Sequence, residues 1–233
     1  MTAYVKSLNV AQPVHVQYGK QEVLTGIYKQ PSEKPLKLGK LHFEGDGQGD
    51  LVHHGGADKA VCVYPYEHYD FWEKGLQLKL EPGAFGENVT VVGWVETEVH
   101  VGDTFRLGEA IVQVSQPRQP CYKLSMRHGW KELPVRVQET GYTGYYFRVL
   151  EEGVVAQGDM LERTAIHAAR ITVEEVNRVM HRDKQDVEAI RRLLAIDELS
   201  ASWRATLEKR LAGHVESTAA RLDGQQDANQ KMG

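Results

Sequence analysis

Short runs that alternate apolar with polar residues dominate the first two thirds of the chain. Tyr4 to Val10, Val14 to Tyr18, Glu22 to Tyr28 and Leu36 to Phe43 follow this pattern, separated by Gln-Pro, Tyr-Gly-Lys and Gln-Pro-Ser-Glu breaks. Such runs between turn residues predict strands, and their tight spacing favours antiparallel pairing because parallel strands need a long crossover. Lys59 to Tyr64 is nearly continuous in apolar residues and reads as a buried strand, with Cys62 part of the core. Pro65 suits the first position of a helix running to Lys74, with Gly75 as its stop. The aromatic residues on that helix, Tyr69, Phe71 and Trp72, read as packing. Further strands are expected at Val89 to Val92, in a hairpin over Val99 to Val114 turning near Gly108, at Tyr145 to Leu150, and over 153–163. Residues 122–140 look helical in two pieces, broken at His128-Gly129. The fold class that follows is mainly β: a barrel or closed sandwich over residues 1–164 with a few inserted helices.

The period changes near residue 165. Thr172-Val-Glu-Glu175 is a capping box before Val173, Val176 and Val179. Asp186 can cap a second helix carrying Val187, Ile190, Leu193 and Leu194; Ser200 can cap a third carrying Trp203, Leu207 and Leu211, stopped by Gly213. Residues 165–213 therefore read as a three-helix unit resembling a helix-turn-helix domain in size. From His214 to Gly233 the chain is polar and without periodicity, so a disordered tail is expected over 214–233.

The totals narrow the function classes. Net charge is −4 over 233 residues, so no overall basic field recruits nucleic acid or an anionic membrane. Arg204, Lys209 and Arg210 could give the helical unit some positive surface, but the net charge argues against DNA binding, which stays a minor alternative to a packing or dimerisation role. No apolar run approaches the ~20 residues of a membrane span, and the first residues lack a signal-peptide core, so a reducing cytoplasm with free thiols is expected. Two cysteines, Cys62 and Cys121, form neither a disulfide framework nor a zinc pattern.

Three stretches carry candidate chemistry. In Gln116-Pro-Arg-Gln-Pro-Cys-Tyr-Lys-Leu124 a thiol lies on a segment stiffened by two prolines, just past a strand end. Arg118 and Lys123 flank it, and nearby cations favour the thiolate, which is both nucleophile and metal ligand. An inert buried cysteine remains open from local sequence alone. Residues 44–60 hold five glycines; Asp46, Gln48 and Asp50 read as polar loop residues, whereas His53, His54 and Lys59 around Gly55-Gly56 suit an anion. Glu87 and Asn88 stand at a strand entrance, either facing a pocket or satisfying loop backbone.

Several of these pieces together resemble the MOSC family, the domain named for the C-terminal part of molybdenum-cofactor sulfurases, in its YiiM-type branch. They are Gly45 to Asp50, His53 to Val61, Gly83 to Asn88, Val101-Gly-Asp103 and Gln116 to Leu124, with the C-terminal three-helix unit. The resemblance spans about residues 3–212 and implies a MOSC-type β-barrel that holds the molybdenum cofactor, a molybdopterin. By position, Cys121 would be the molybdenum ligand and the catalytic residue. His53, His54, Lys59, Arg118 and Lys123 would hold the cofactor's phosphate, with Asn88 orienting it. Relatives in this branch are associated with reduction of N-hydroxylated bases. No flavin, nicotinamide or iron–sulfur motif accompanies the site, so an external flavoprotein or other redox donor is implied. The alternative is a carrier that delivers cofactor, or persulfide sulfur on Cys121, without turnover. A homodimer is compatible with the barrel edges or the helical unit.

Overall fold

A computed structural model describes residues 3–49, 55–214 and 216–224. Among the described residues twelve strands form: β1 (Tyr4–Val10), β2 (Val14–Tyr18), β3 (Gln21–Thr25), β4 (Gln30–Ser32), β5 (Leu36–Leu38), β6 (Val61–Pro65), β7 (Val89–Val92), β8 (Thr104–Leu107), β9 (Ala110–Pro117), β10 (Tyr145–Glu151), β11 (Gly153–Val155) and β12 (Leu161–Ala165). The helices are α1 (Tyr69–Leu76), α2 (Lys123–His128), α3 (Leu133–Thr140), α4 (Val173–His181), α5 (Val187–Leu194), α6 (Ala201–Leu211) and α7 (Ala219–Asp223).

Eight strands share one sheet in the order β12-β8-β9-β10-β6-β7-β1-β4, while β2 pairs with β3 and β5 with β11. Every pairing is antiparallel except β6 with β7, whose connection carries α1. The sheet curls until β12 reaches β1: Val5 N–H donates to Asp159 O at 2.8 Å, Gly158 N–H to Val5 O at 2.8 Å and Leu161 N–H to Ala3 O at 3.0 Å. Those contacts amount to one isolated bridge, Tyr4 to Met160, rather than a ladder. The expected barrel is thus a coiled sheet drawn almost shut, not a closed barrel. The repeated Gly-Asp turns explain part of this. Gly102 and Gly158 both adopt φ of 89°, and the strands they feed, β8 and β12, pair with each other.

Boundaries moved where backbone geometry overrode pattern. Pro65 ends β6 instead of opening a helix, and a single 3₁₀ turn, Tyr66–His68, precedes α1. Gly75 lies inside α1; the stop is Gln77, in the left-handed region at φ 56°. The strand expected to run to Tyr28 ends at Thr25, and the one expected to reach Phe43 ends at Leu38.

The three C-terminal helices form as the caps predict. Thr172 accepts from Glu175 N at 3.0 Å, Asp186 from Ala189 N at 3.0 Å and Ser200 from Trp203 N at 3.4 Å, each worth ~1 kcal/mol. The unit does not stand apart. Val176, Leu193 and Trp203 belong to the same buried cluster as Phe105, Val112 and Phe147 of the sheet. Backbone bonds stitch the junction: Val101 N–H to Ile171 O and Ser200 N–H to Ser115 O, both 3.0 Å. A second cluster, Tyr64, Trp72, Phe85, Leu124 and Leu133 among it, packs α1, α2 and α3 together; Tyr64 and Phe85 stack at 4.2 Å. Tyr69 and Trp72 of α1 are core, as their spacing indicated, whereas Phe71 is exposed.

The tail departs from expectation. Residues 216–224 carry α7 and lie against the Cys121 segment, so order extends beyond His214. Among the described residues no helix is long and apolar enough to cross a membrane.

Candidate functional site

Cys121 sits between the end of β9 and the start of α2, and it is only 7% exposed. The proline-rich connection leaves the ladder where Pro117 faces Tyr145, and Arg118 N–H makes a last bond to Gly144 O at 3.0 Å. The turn into α2 is closed by Leu124 N–H donating to Cys121 O at 3.0 Å. On the other side the tail brackets the thiol. Tyr122 N–H donates to Arg221 O at 2.8 Å, and the Arg221 guanidinium donates to Pro120 O.

A narrow cleft of about 80 Å³ opens beside Cys121. Lys29, Lys59, Arg118 and Lys123 supply its cations; Cys62, Tyr146 and Asn88 also line it. Arg118 is 6% exposed, and its Nη2 donates to Phe85 O at 2.7 Å. Its Nη1 is buried and has no hydrogen-bond partner among the described residues. Burial works against the Arg118 charge, but Cys62, Tyr146 and Cys121 act the other way and the net shift is upward. The guanidinium therefore stays charged at the cleft wall. Burial lowers the Arg221 pKa, with Cys121 and Glu216 acting partly the other way.

Cys62 was expected to be core. It is 5% exposed on β6, yet it also faces this cleft, with Tyr146 on the same lining. The two thiols of the chain therefore share one site. Burial pushes the Cys62 thiol up from 9.0 to about 11, with Arg118 pulling partly the other way. Cys62 is a protonated thiol near neutrality.

Asn88 stands at the cleft but is committed to the fold. Its N–H donates to Cys62 O at 2.8 Å, its Oδ1 accepts from Cys62 N at 3.1 Å and its Nδ2 donates to Asp46 Oδ2 at 2.8 Å. Asp46, expected to be a solvated loop residue, is 5% exposed and paired with Lys29. The neighbouring glycines have a packing reason: a Cβ on Gly49 would meet Leu24 O at 2.5 Å, and one on Gly26 would meet Gly47 O at 2.5 Å. Glu87 is fully buried, accepting from Gly83 N at 2.8 Å, Phe85 N at 3.0 Å, Thr90 Oγ1 at 2.8 Å and the Tyr69 hydroxyl. It fixes the turn that presents Phe85 O to Arg118. Asp58 anchors the loop before Lys59 by bonding the Arg148 guanidinium at 2.7 Å and Ala201 N at 3.1 Å.

Of the expected site residues, Lys59, Asn88, Arg118, Cys121 and Lys123 converge on this cleft. His53 and His54 lie outside the described residues. Lys29, Tyr146 and Arg221 were not singled out by the sequence. Tyr146 had a usable signal, since β10 alternation places it opposite Gln116; Lys29 and Arg221 had none. Among the described residues no three His, Cys, Asp or Glu side chains gather into a metal cage.

Residues 50–162 match the MOSC domain, and residues 171–214 match the YiiM-like, 3-alpha helix domain. A crystal structure of YiiM from Geobacillus stearothermophilus superposes with a TM-score of 0.78 at 37% identity, covering 90% of this chain and 99% of that one. The chain belongs to the YiiM-like branch of the MOSC family. Among curated relatives, a Bacillus subtilis protein named uncharacterized protein YflK is 52% identical over 206 residues, 88% of this chain and 93% of its own length. A Gibberella moniliformis protein named Reductase is 32% identical over 165 residues, which is 68% of this chain and 29% of that longer protein. The cleft described above falls mostly within the MOSC match, and its wall from Thr25 to Gly49 precedes that match.

Proposed function

We propose that this chain is a molybdenum-cofactor-dependent reductase of N-hydroxylated bases, with Cys121 as the protein's sulfur ligand to the metal. MOSC domains are associated with the molybdenum cofactor as a family, and one MOSC relative bears the name Reductase. The observation that carries the reading is the orphaned Nη1 of Arg118. A buried, permanently charged guanidinium with an unused donor costs ~1–3 kcal/mol unless an acceptor meets it, and here it lines the same cleft as a thiol. A phosphate-bearing group that also carries a soft metal fits both needs.

The chain's own residues divide the work. Arg118, Lys59 and Lys123 would hold the phosphate, and Arg118 is aimed by Phe85 O. Cys121, held rigidly between Pro120 and α2, would donate its sulfur as thiolate, while protonated Cys62 is unsuited to that role. Burial of the thiol limits water at the reacting centre. When bound, the cofactor would supply two-electron transfer. In the reaction the N–O bond of the substrate breaks, two electrons and two protons are taken up, and water leaves with the amine as product. The electrons come from an external flavoprotein or other redox donor. A carrier that hands sulfur or cofactor to an acceptor protein needs an accessible thiol, and Cys121 at 7% exposure under the 216–224 segment is poorly suited to that.

The test is metal and pterin analysis of protein made in a cofactor-competent host, followed by reduction of an N-hydroxylated base with a chemical reductant. Stoichiometric molybdenum with turnover supports the reading. Loaded protein that never turns over, but passes metal or sulfur to an acceptor, replaces it with the carrier.

A further inference from the structure

Asn177 stands out on its helix. The other buried residues of α4, Val173, Val176, Val179 and Met180, are apolar, while Asn177 is only 4% exposed. Its Nδ2 donates to Thr143 Oγ1 at 2.8 Å, and its Oδ1 is buried without a hydrogen-bond partner among the described residues. An unmet buried acceptor costs stability, so a leucine of similar size would serve packing better. The bond to Thr143 is what the polarity of Asn177 is for.

Thr143 is fully buried and hands the contact on. Its hydroxyl accepts from Asn177 and donates its single hydrogen to Gly144 O at 2.8 Å. Gly144 O also accepts from Arg118 N–H at 3.0 Å, so both acceptor positions of that carbonyl are filled. From the barrel side Gly144 N–H donates to Glu96 Oε1 at 2.7 Å, and Glu96 Oε2 meets His68 Nε2 at 2.7 Å. The Gly144 backbone is packed so closely, at φ 69°, that a Cβ there would meet Val63 O at 2.2 Å. This glycine continues the β9–β10 pairing by one bond past Pro117 and Tyr145, and so sets where the Arg118 backbone leaves the sheet. The guanidinium is then tied to Phe85 O through Nη2, with Nη1 unmet at the inner cleft. An arginine fixed at its backbone and at one nitrogen delivers the other nitrogen to one point, and an anion gains most from a donor held in place beforehand.

We propose that Asn177 is a positioning residue for Arg118, acting through Thr143 and the Gly144 carbonyl. The helical unit thereby takes part in anion binding at an inner cleft that none of its own residues lines. The proposal rests on the anion reading of that cleft.

The experiment measures inorganic phosphate binding to the cofactor-free full-length chain by calorimetry, with the melting temperature alongside. Thr143→Val combined with Asn177→Leu removes both partners at once and leaves no new buried polar group unmet, so the melting temperature is expected at or above that of the wild type. Phosphate affinity is expected to fall ~5-fold or more. Thr143→Ser keeps the hydroxyl and should bind phosphate as the wild type does. A packing role predicts the reverse split, lost stability with intact binding. Wild-type affinity in the double variant overturns the proposal, as does a marked fall in its melting temperature or weak binding by Thr143→Ser. Arg118→Ala is the control for the site itself. Binding lost in Arg118→Ala but untouched in the double variant removes the proposal alone. Phosphate binding that is absent from the wild type, or that survives Arg118→Ala, removes the anion reading of the inner cleft and the proposal with it.

Discussion

Asn88 grips Cys62 at both of its backbone groups: the Asn88 N–H donates to Cys62 O at 2.8 Å while its side-chain Oδ1 accepts from Cys62 N at 3.1 Å. The same side chain reaches Asp46 at 2.8 Å. An asparagine at the mouth of a cleft is easily taken for a ligand contact; here its hydrogen-bonding capacity is spent on holding β6, the Asp46 loop and the start of β7 together. Asn88→Ala is expected to cost ~1–3 kcal/mol by orphaning a buried N–H and weakening the hold on Asp46. Denaturant midpoints check this. Full stability combined with lost pterin would instead make Asn88 a ligand contact.

The two thiols should separate cleanly. Cys121→Ser is expected to keep the fold and lose molybdenum, measured by metal analysis on the folded fraction. Cys62→Ser should retain the metal. Molybdenum in Cys121→Ser at the wild-type level would end the ligand assignment.

Cys62 also gives a pH signature. Its folded pKa, about 11, lies above the ordinary thiol value of 9.0. The native state therefore keeps a proton that the unfolded chain releases, and stability is present below pH 9 and lost as pH rises through 11. The span corresponds to ~2–3 kcal/mol at most. Cys62→Ser should flatten this decline in unfolding curves taken between pH 8 and 11; an unchanged slope would assign it to other groups.

Arg118→Ala removes the unpaired donor and leaves Phe85 O without its partner. Pterin retained after gel filtration is expected to fall by ~10-fold or more, the scale of one charge-assisted contact. Arg118→Lys should recover only part of it, because lysine cannot reach Phe85 O and an anion in one planar fork. Wild-type retention in Arg118→Ala would leave Arg118 a purely structural residue.

Glu87→Ala should be the most damaging of these changes, at ~2–5 kcal/mol, since four donors lose a common buried acceptor. Thermal unfolding gives the comparison. A mild effect would mean that the 83–87 turn is held by its glycines rather than by the carboxylate.

Much of the fold was readable because it rests on local rules. The period-2 runs gave the strands, and Thr172, Asp186 and Ser200 announced their helices by capping. Pro65 misled because a proline suits both the edge of a strand and the first turn of a helix, and only the parallel pairing with β7 decides between them. In the site, Cys121 and Arg118 stood out through the stiff Pro-Arg-Gln-Pro-Cys segment. Asp46 did not, since nothing local reveals that Lys29 and Asn88 will bury it.

The contact between Arg221 and the two neighbours of Cys121 bears on how the site is assembled. Synthesis runs from the barrel toward the tail, so β9, β10 and the thiol between Pro120 and α2 are made about a hundred residues before Arg221. Until that arginine arrives, the Tyr122 N–H and the Pro120 carbonyl lack these partners. The nascent protein thus passes through a stage in which its thiol is more open than in the finished one, an interval in which a bulky prosthetic group meets one barrier fewer.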